Sequence, residues 1–168
     1  ERWGLSWTAE DGAAVVLAEA LRARYQQKDE ARAIQILDDG WARYRDEEIL
    51  TLRSICEPDN RKMKEILTRA IEAAPGYALS HCYRGWVEVT LQEYDAALAD
   101  FEAAIRLRDG FPLAHLGRGM ARQLKKDYDG ALAEYERVIR LDPRSAFGHY
   151  LRGMIRILRG DPDGAMAA

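Results

Sequence analysis

Self-similarity at a fixed spacing of 34 residues governs what this chain can fold into. Ala78-Leu-Ser-His-Cys-Tyr-Arg-Gly aligns with Pro112-Leu-Ala-His-Leu-Gly-Arg-Gly and with Ala146-Phe-Gly-His-Tyr-Leu-Arg-Gly. All the histidines of the chain, His81, His115 and His149, fall on one repeat position. Arg84, Arg118 and Arg152 share a second position, and Gly85, Gly119 and Gly153 a third. The following segments repeat too: Glu93-Tyr-Asp-Ala-Ala-Leu-Ala-Asp-Phe matches Asp127-Tyr-Asp-Gly-Ala-Leu-Ala-Glu-Tyr, and Asp161-Pro-Asp-Gly-Ala-Met-Ala-Ala begins a third copy. A period of this length marks stacked supersecondary units, none of which can bury its apolar face alone.

Each unit reads as two helices. Ala97, Phe101, Ala104 and Ile105 recur at helical spacing, as do Ala131, Tyr135, Val138 and Ile139, giving one apolar stripe per helix. Pro143 and Asp109-Gly110 end these helices, and Pro112 suits a first helical turn, where a missing N–H costs nothing. Toward the N-terminus the pattern predicts helices from about Ala9 to Gln26, then to about Arg45, from Glu47 to Cys56 and from Asp59 to Ala74. A turn is expected at Lys28-Asp29, and Thr8 and Asp11 stand at capping-box spacing. No segment alternates with period two, so no sheet is expected.

Composition narrows the class. With 48% hydrophobic and 32% charged residues, the 168-residue chain has the material for a core and for a solvated surface. A net charge of −3 with dispersed Lys and Arg disfavours a nucleic-acid module. Cys56 and Cys82 make no metal-binding spacing and require no disulfide. They point to a cytoplasmic setting, although a start at Glu1 equally fits a mature form or an interior piece. No stretch of 18 apolar residues is present to span a membrane.

The period, the hairpin layout and the small, alanine, aromatic and proline positions together resemble the tetratricopeptide repeat family. Its small eighth residue is matched by Gly85, Gly119 and Gly153, and its alanine at the twentieth by Ala97, Ala131 and Ala165. Its aromatic at the twenty-fourth is matched by Phe101 and Tyr135, its small twenty-seventh by Ala104 and loosely Val138, and its proline by Pro75 and Pro143. The chain departs from the family pattern at the fourth and seventh positions, where His and Arg replace an aromatic and a leucine. Arg84 is expected to reach Asp100, and Arg118 to reach Glu134, across their own hairpins. Pentatricopeptide repeats, which bind RNA, have a close period but fit the motif positions and the acidic balance less well.

The resemblance implies an all-α fold: a right-handed superhelical solenoid of antiparallel hairpins forming a single domain over 1–168. Residues 1–9 would be an extension, 10–45 and 46–77 divergent hairpins, 78–111 and 112–145 clear repeats, and 146–168 a truncated one. It also implies a non-catalytic scaffold whose first helices line a concave peptide-binding groove. Carried over by position, the groove residues are Leu79, Cys82, Trp86 and Val89, then Leu113, Leu116, Met120 and Gln123, then Phe147, Tyr150, Met154 and Ile157. A nearly apolar face of this kind suits an amphipathic helix or an extended apolar segment of a protein partner. The competing occupants are the chain's own N-terminal Trp3, Leu5 and Trp7, or a second copy meeting it through the groove or the apolar end at Ala165, Met166 and Ala167. A structural oligomerisation element and a regulatory arm of a larger protein are the alternative roles.

No metal, cofactor or catalytic group is expected. Equivalent positions on stacked helices lie about 8–10 Å apart, too far for three histidines to converge on one ion. The Gly117–Gly119 pair sits inside a predicted helix and follows no strand, so it makes no phosphate loop.

Overall fold

The computed structural model describes residues 12–44 and 46–160; the proposed capping box at Thr8 and Asp11, Trp3, Leu5, Trp7 and the third copy from Asp161 lie outside them. Every element among the described residues is a helix. They fall into two compact units, Glu1–Pro75 and Gly76–Ala168.

The first unit holds α1 (Gly12–Tyr25), α2 (Glu30–Tyr44), α3 (Glu47–Ile55) and α4 (Asn60–Ala73). The starts of α2, α3 and α4 are fixed by aspartates, whose carboxylates accept the unpaired N–H groups of a first turn. Asp29 accepts from Arg32 N at 2.9 Å, Asp46 from Glu48 N at 2.9 Å, and Asp59 from Arg61 N at 2.8 Å and Lys62 N at 3.2 Å. Those bonds hold the Asp59 carboxyl below its ordinary value. Leu17, Leu37, Ile49 and Cys56 meet in the core with Val16, Ile34 and Trp41 packed against them. The turn expected at Lys28-Asp29 is present, with Lys28 in the left-handed region at φ 55°.

The second unit holds α5 (Ala78–Thr90), α6 (Tyr94–Leu107), α7 (Pro112–Leu124), α8 (Tyr128–Leu141) and α9 (Ala146–Leu158). Helices α5 and α6 pair, as do α7 and α8, while α6 also meets α7 and α8 meets α9. The apolar stripe anticipated on α6 is the core: Ala97, Phe101 and Ala104 are fully buried, together with Cys82, Ala114 and Ala121. Tyr135 and Ala131 play the same part for α8, with Leu151 and Ile155 of α9.

The aromatic positions work because glycine faces them. A Cβ on Gly85 would stand 2.9 Å from the Phe101 ring, and one on Gly117 would stand 2.3 Å from it. Phe101 thus lies against a bare backbone on its own partner helix and on the first helix of the next hairpin. Trp86 closes the ring's environment edge-on, at 5.7 Å between centroids and 77° between planes.

The turns inside the hairpins share a device as well. Gln92 (φ 63°), Lys126 (φ 65°) and Gly160 (φ 80°) stand 34 residues apart and all take the left-handed conformation that ends a helix. Only glycine does so without crowding its own Cβ.

Two outcomes follow for urea unfolding of the chain. Gly117→Ala forces its methyl into the Phe101 ring and is expected to destabilise by about 1–3 kcal/mol. Gln92→Gly or Lys126→Gly relieves a left-handed side-chain residue and is expected to stabilise by about 0.5–1 kcal/mol. A stabilised Gly117→Ala would overturn the packing argument, and a destabilised Lys126→Gly the turn argument.

Candidate interaction surface

Two polar clusters sit inside the hairpins of the second unit. In the first, Arg84 Nε donates to Asp100 Oδ2 at 2.5 Å and Nη2 to Oδ1 at 2.8 Å, while His81 Nδ1 lies 3.0 Å from Oδ1. In the second, Arg118 Nη2 reaches Glu134 Oε1 at 2.8 Å, Arg122 Nη1 reaches the same oxygen at 3.1 Å, and His115 Nδ1 lies 2.8 Å from Oε2. Both Arg–carboxylate pairs match the expectation from sequence. The sequence marks the histidines only as a repeat position; the structure makes each of them a further donor to its carboxylate beside the arginines. An Nδ1–H on each imidazole, donated to the carboxylate, accounts for both contacts.

Asp100 is buried, which by itself would raise its pKa. Hydrogen bonds from Arg84 and His81, with the charges of both, outweigh that burial and hold the carboxyl below its ordinary value. These clusters satisfy charge internally, so they tie each hairpin together and offer nothing to an outside ligand.

The residues placed in the groove by sequence divide into two groups. Cys82 is fully buried, and Val89 is buried with it in the core formed with Phe101, Phe111 and Ala114. The correction for these two is geometric: α5 has α6 on one side and α7 on the other, so its fifth and twelfth positions are covered. Burial pushes the Cys82 thiol up to about 12, and burial likewise raises Cys56, so both are inert free thiols. Leu79, Trp86 and Met120 are half-buried against the same core, and Leu116 and Met154 against that of Tyr135. Gln123 is half-buried and accepts the Tyr135 hydroxyl at 2.8 Å.

The exposed group lies on α7 and α9. Leu113 is 36% exposed, Phe147 48%, Tyr150 64% and Ile157 60%. The Phe147 and Tyr150 rings stack with centroids 6.4 Å apart. On α9 these positions recur three and seven residues apart, which sets them on one helix face. Among the described residues no three His, Cys, Asp or Glu side chains gather where a metal could sit, and no helix is long and apolar enough to cross a membrane.

The chain matches the tetratricopeptide repeat family over residues 64–112, 82–146 and 125–168, more than half its length. It belongs to that family, and the family's class is that of protein–protein interaction scaffolds built from helix hairpins. Solved structures share the fold. A double mutant of MamA RS-1 superposes with a TM-score of 0.80 at 17% identity, covering 95% of this chain and 92% of that one. MamA from Desulfovibrio magneticus RS-1 gives 0.79 at 19%, with coverage of 95% and 92%. A tetratricopeptide repeat protein from Parabacteroides merdae gives 0.76 at 19%, covering 95% of this chain and 64% of its own. No curated protein matches by sequence.

The Asp100 cluster sets a pH dependence. A carboxyl whose folded pKa is depressed contributes stability fully above its unfolded value, and loses it as pH falls through the folded one. Asp100→Asn is therefore expected to cost about 2 kcal/mol at pH 7. The gap to the native chain should narrow once pH drops below the ordinary value of 3.8. Urea titrations at pH 7 and pH 3 check this; an equal gap at both would show that the carboxylate is not stabilised by its partners.

Proposed function

We propose that the chain is a non-catalytic scaffold that holds an amphipathic helix or an extended apolar segment of a protein partner. The receiving surface is the face of α7 and α9 marked by Leu113, Phe147, Tyr150 and Ile157. The observation that carries this is the exposure of the stacked Phe147 and Tyr150 rings and of Ile157 on one face of α9, with Leu113 of α7 exposed at the matching repeat position. Exposed apolar side chains gathered on one face mark interaction sites, and stacked aromatics supply contact area at little cost in side-chain entropy. On this reading Trp86, Leu79 and Met120, half-buried against the Phe101 core, and Leu116 and Met154, half-buried against the Tyr135 core, would border that face. Cys82 and Val89 serve the reading only as packing beneath that floor, and Gln123 as the support of Tyr135.

Panning a displayed random-peptide library against the chain tests the reading. The expected result is enrichment of peptides with apolar residues at three- and four-residue spacing. Their affinity should fall about tenfold or more for Tyr150→Glu combined with Ile157→Glu. Both side chains are largely exposed, so helicity should not change. Selected peptides that bind the variant as tightly as the native chain would contradict the assignment. A native chain that doubles its mass, and a variant that does not, would assign the face to self-association instead.

A further inference from the structure

Aspartate is followed directly by glycine at five places: Asp11-Gly12, Asp39-Gly40, Asp109-Gly110, Asp129-Gly130 and Asp163-Gly164. Such a pair can react with itself. The glycine nitrogen attacks the aspartate side-chain carboxyl and closes a five-membered ring, and glycine has no Cβ to shield that nitrogen. Three of the pairs have both members among the described residues, and the fold treats them differently.

Asp39-Gly40 lies inside α2, where the Gly40 N–H belongs to the helical ladder. Gly40 is buried, and Asp39 Oδ1 accepts from Gln35 Nε2 at 3.0 Å. Asp129-Gly130 lies in the first turn of α8; the Gly130 nitrogen donates to Asp127 Oδ1 at 3.0 Å, and Asp129 pairs with Arg159 at 2.9 Å. In both pairs the glycine nitrogen is committed away from its neighbouring aspartate. Asp109-Gly110 lies instead in the turn between α6 and α7, outside both helices. Gly110 takes φ 70°, and its N–H donates to Asp109 Oδ1 at 2.9 Å. The nitrogen is already aimed at the carboxyl it would attack. The Asp109 side chain is 91% exposed, and its ion pair with Arg137 Nη2 is long, at 3.7 Å.

We infer that Asp109 is a site of spontaneous isomerisation to isoaspartate, and that the conversion loosens the joint between the α5–α6 and α7–α8 hairpins. The Gly110 nitrogen gives up its proton and bonds to Asp109 Cγ. The protonated carboxyl gives up its hydroxyl, and the two leave as water. A second water then opens the succinimide. Attack at Cγ restores aspartate. Attack at the former main-chain carbonyl carbon breaks that carbon's bond to the Gly110 nitrogen. The chain then runs through Cγ, and the former carbonyl becomes a free carboxylate. The water lost on closure is regained on opening, so neither mass nor oxidation state changes. Isoaspartate adds one methylene to the backbone between α6 and α7. Phe111 follows at once as the N-cap of α7 and is buried with Phe101 and Ala114. An extra backbone atom there misplaces the start of α7 against that core.

The test incubates the folded chain beside a sample unfolded in guanidinium chloride, in warm, mildly acidic buffer. Isoaspartate is mapped site by site as lost cleavage by a protease that cuts before aspartate and not before isoaspartate. The unfolded sample sets the intrinsic pace of each pair. The folded chain should convert Asp109 at a comparable pace. It should convert Asp39 and Asp129 about tenfold or more slowly, since their helices must open first. A folded chain that spares Asp109 while the unfolded one converts it, or that converts Asp39 or Asp129 as fast as Asp109, would overturn the inference. A second arm reads the joint. The incubated native chain should unfold at lower urea than fresh chain. Asp109→Glu, a change at an exposed side chain whose added methylene hinders ring closure, should lose less on the same incubation. Equal losses in the two chains would overturn the loosening of the joint.

Discussion

The second unit depends on one contact, the Phe101 ring set against the bare backbones of Gly85 and Gly117. A ring of this size fits only where two helices come close without a Cβ between them, and those glycines provide that on α5 and α7. With the ring in place, α5, α6 and α7 are locked at one spacing. Tyr135 repeats the arrangement against Gly119, where a Cβ would stand 2.6 Å from it. Its hydroxyl then needs a partner, because burial raises the energy of an unsatisfied polar group, and Gln123 supplies one.

The polar clusters follow from that spacing. Helices held this close leave Asp100 and Glu134 almost without water, and a buried carboxylate is tolerable only if cations and hydrogen bonds replace the lost solvent. His81 with Arg84, and His115 with Arg118 and Arg122, make that replacement.

Much of this was legible in the sequence because a repeat states each contact more than once. The apolar pattern and its turn residues gave helices over Glu47–Cys56 and Asp59–Ala74, and the structure has them at Glu47–Ile55 and Asn60–Ala73. The offset of Asp100 and Glu134 from their arginines predicted both ion pairs. The role of the histidines is not legible from their shared repeat position alone, although the nineteen-residue offset to Asp100 and Glu134 points to it. The left-handed turns at Gln92 and Lys126 were not legible, because neither residue signals positive φ; Gly160 in the same register was the only hint. The surface reading erred at Cys82 and Val89, because position within a hairpin says which way a side chain points but not whether the next hairpin covers it. On α5 it does, whereas on α9 Tyr150 and Ile157 stay exposed.

The central claim is that a packed interior leaves recognition to the exposed apolar side chains of α7 and α9. Methyl NMR with a saturating panned peptide tests it most directly. The account predicts that Leu113 and Ile157 methyl signals move while those of Val138 and Leu67, both buried, stay in place. Movement centred on Val138 or on the first unit, with Leu113 and Ile157 silent, would contradict it.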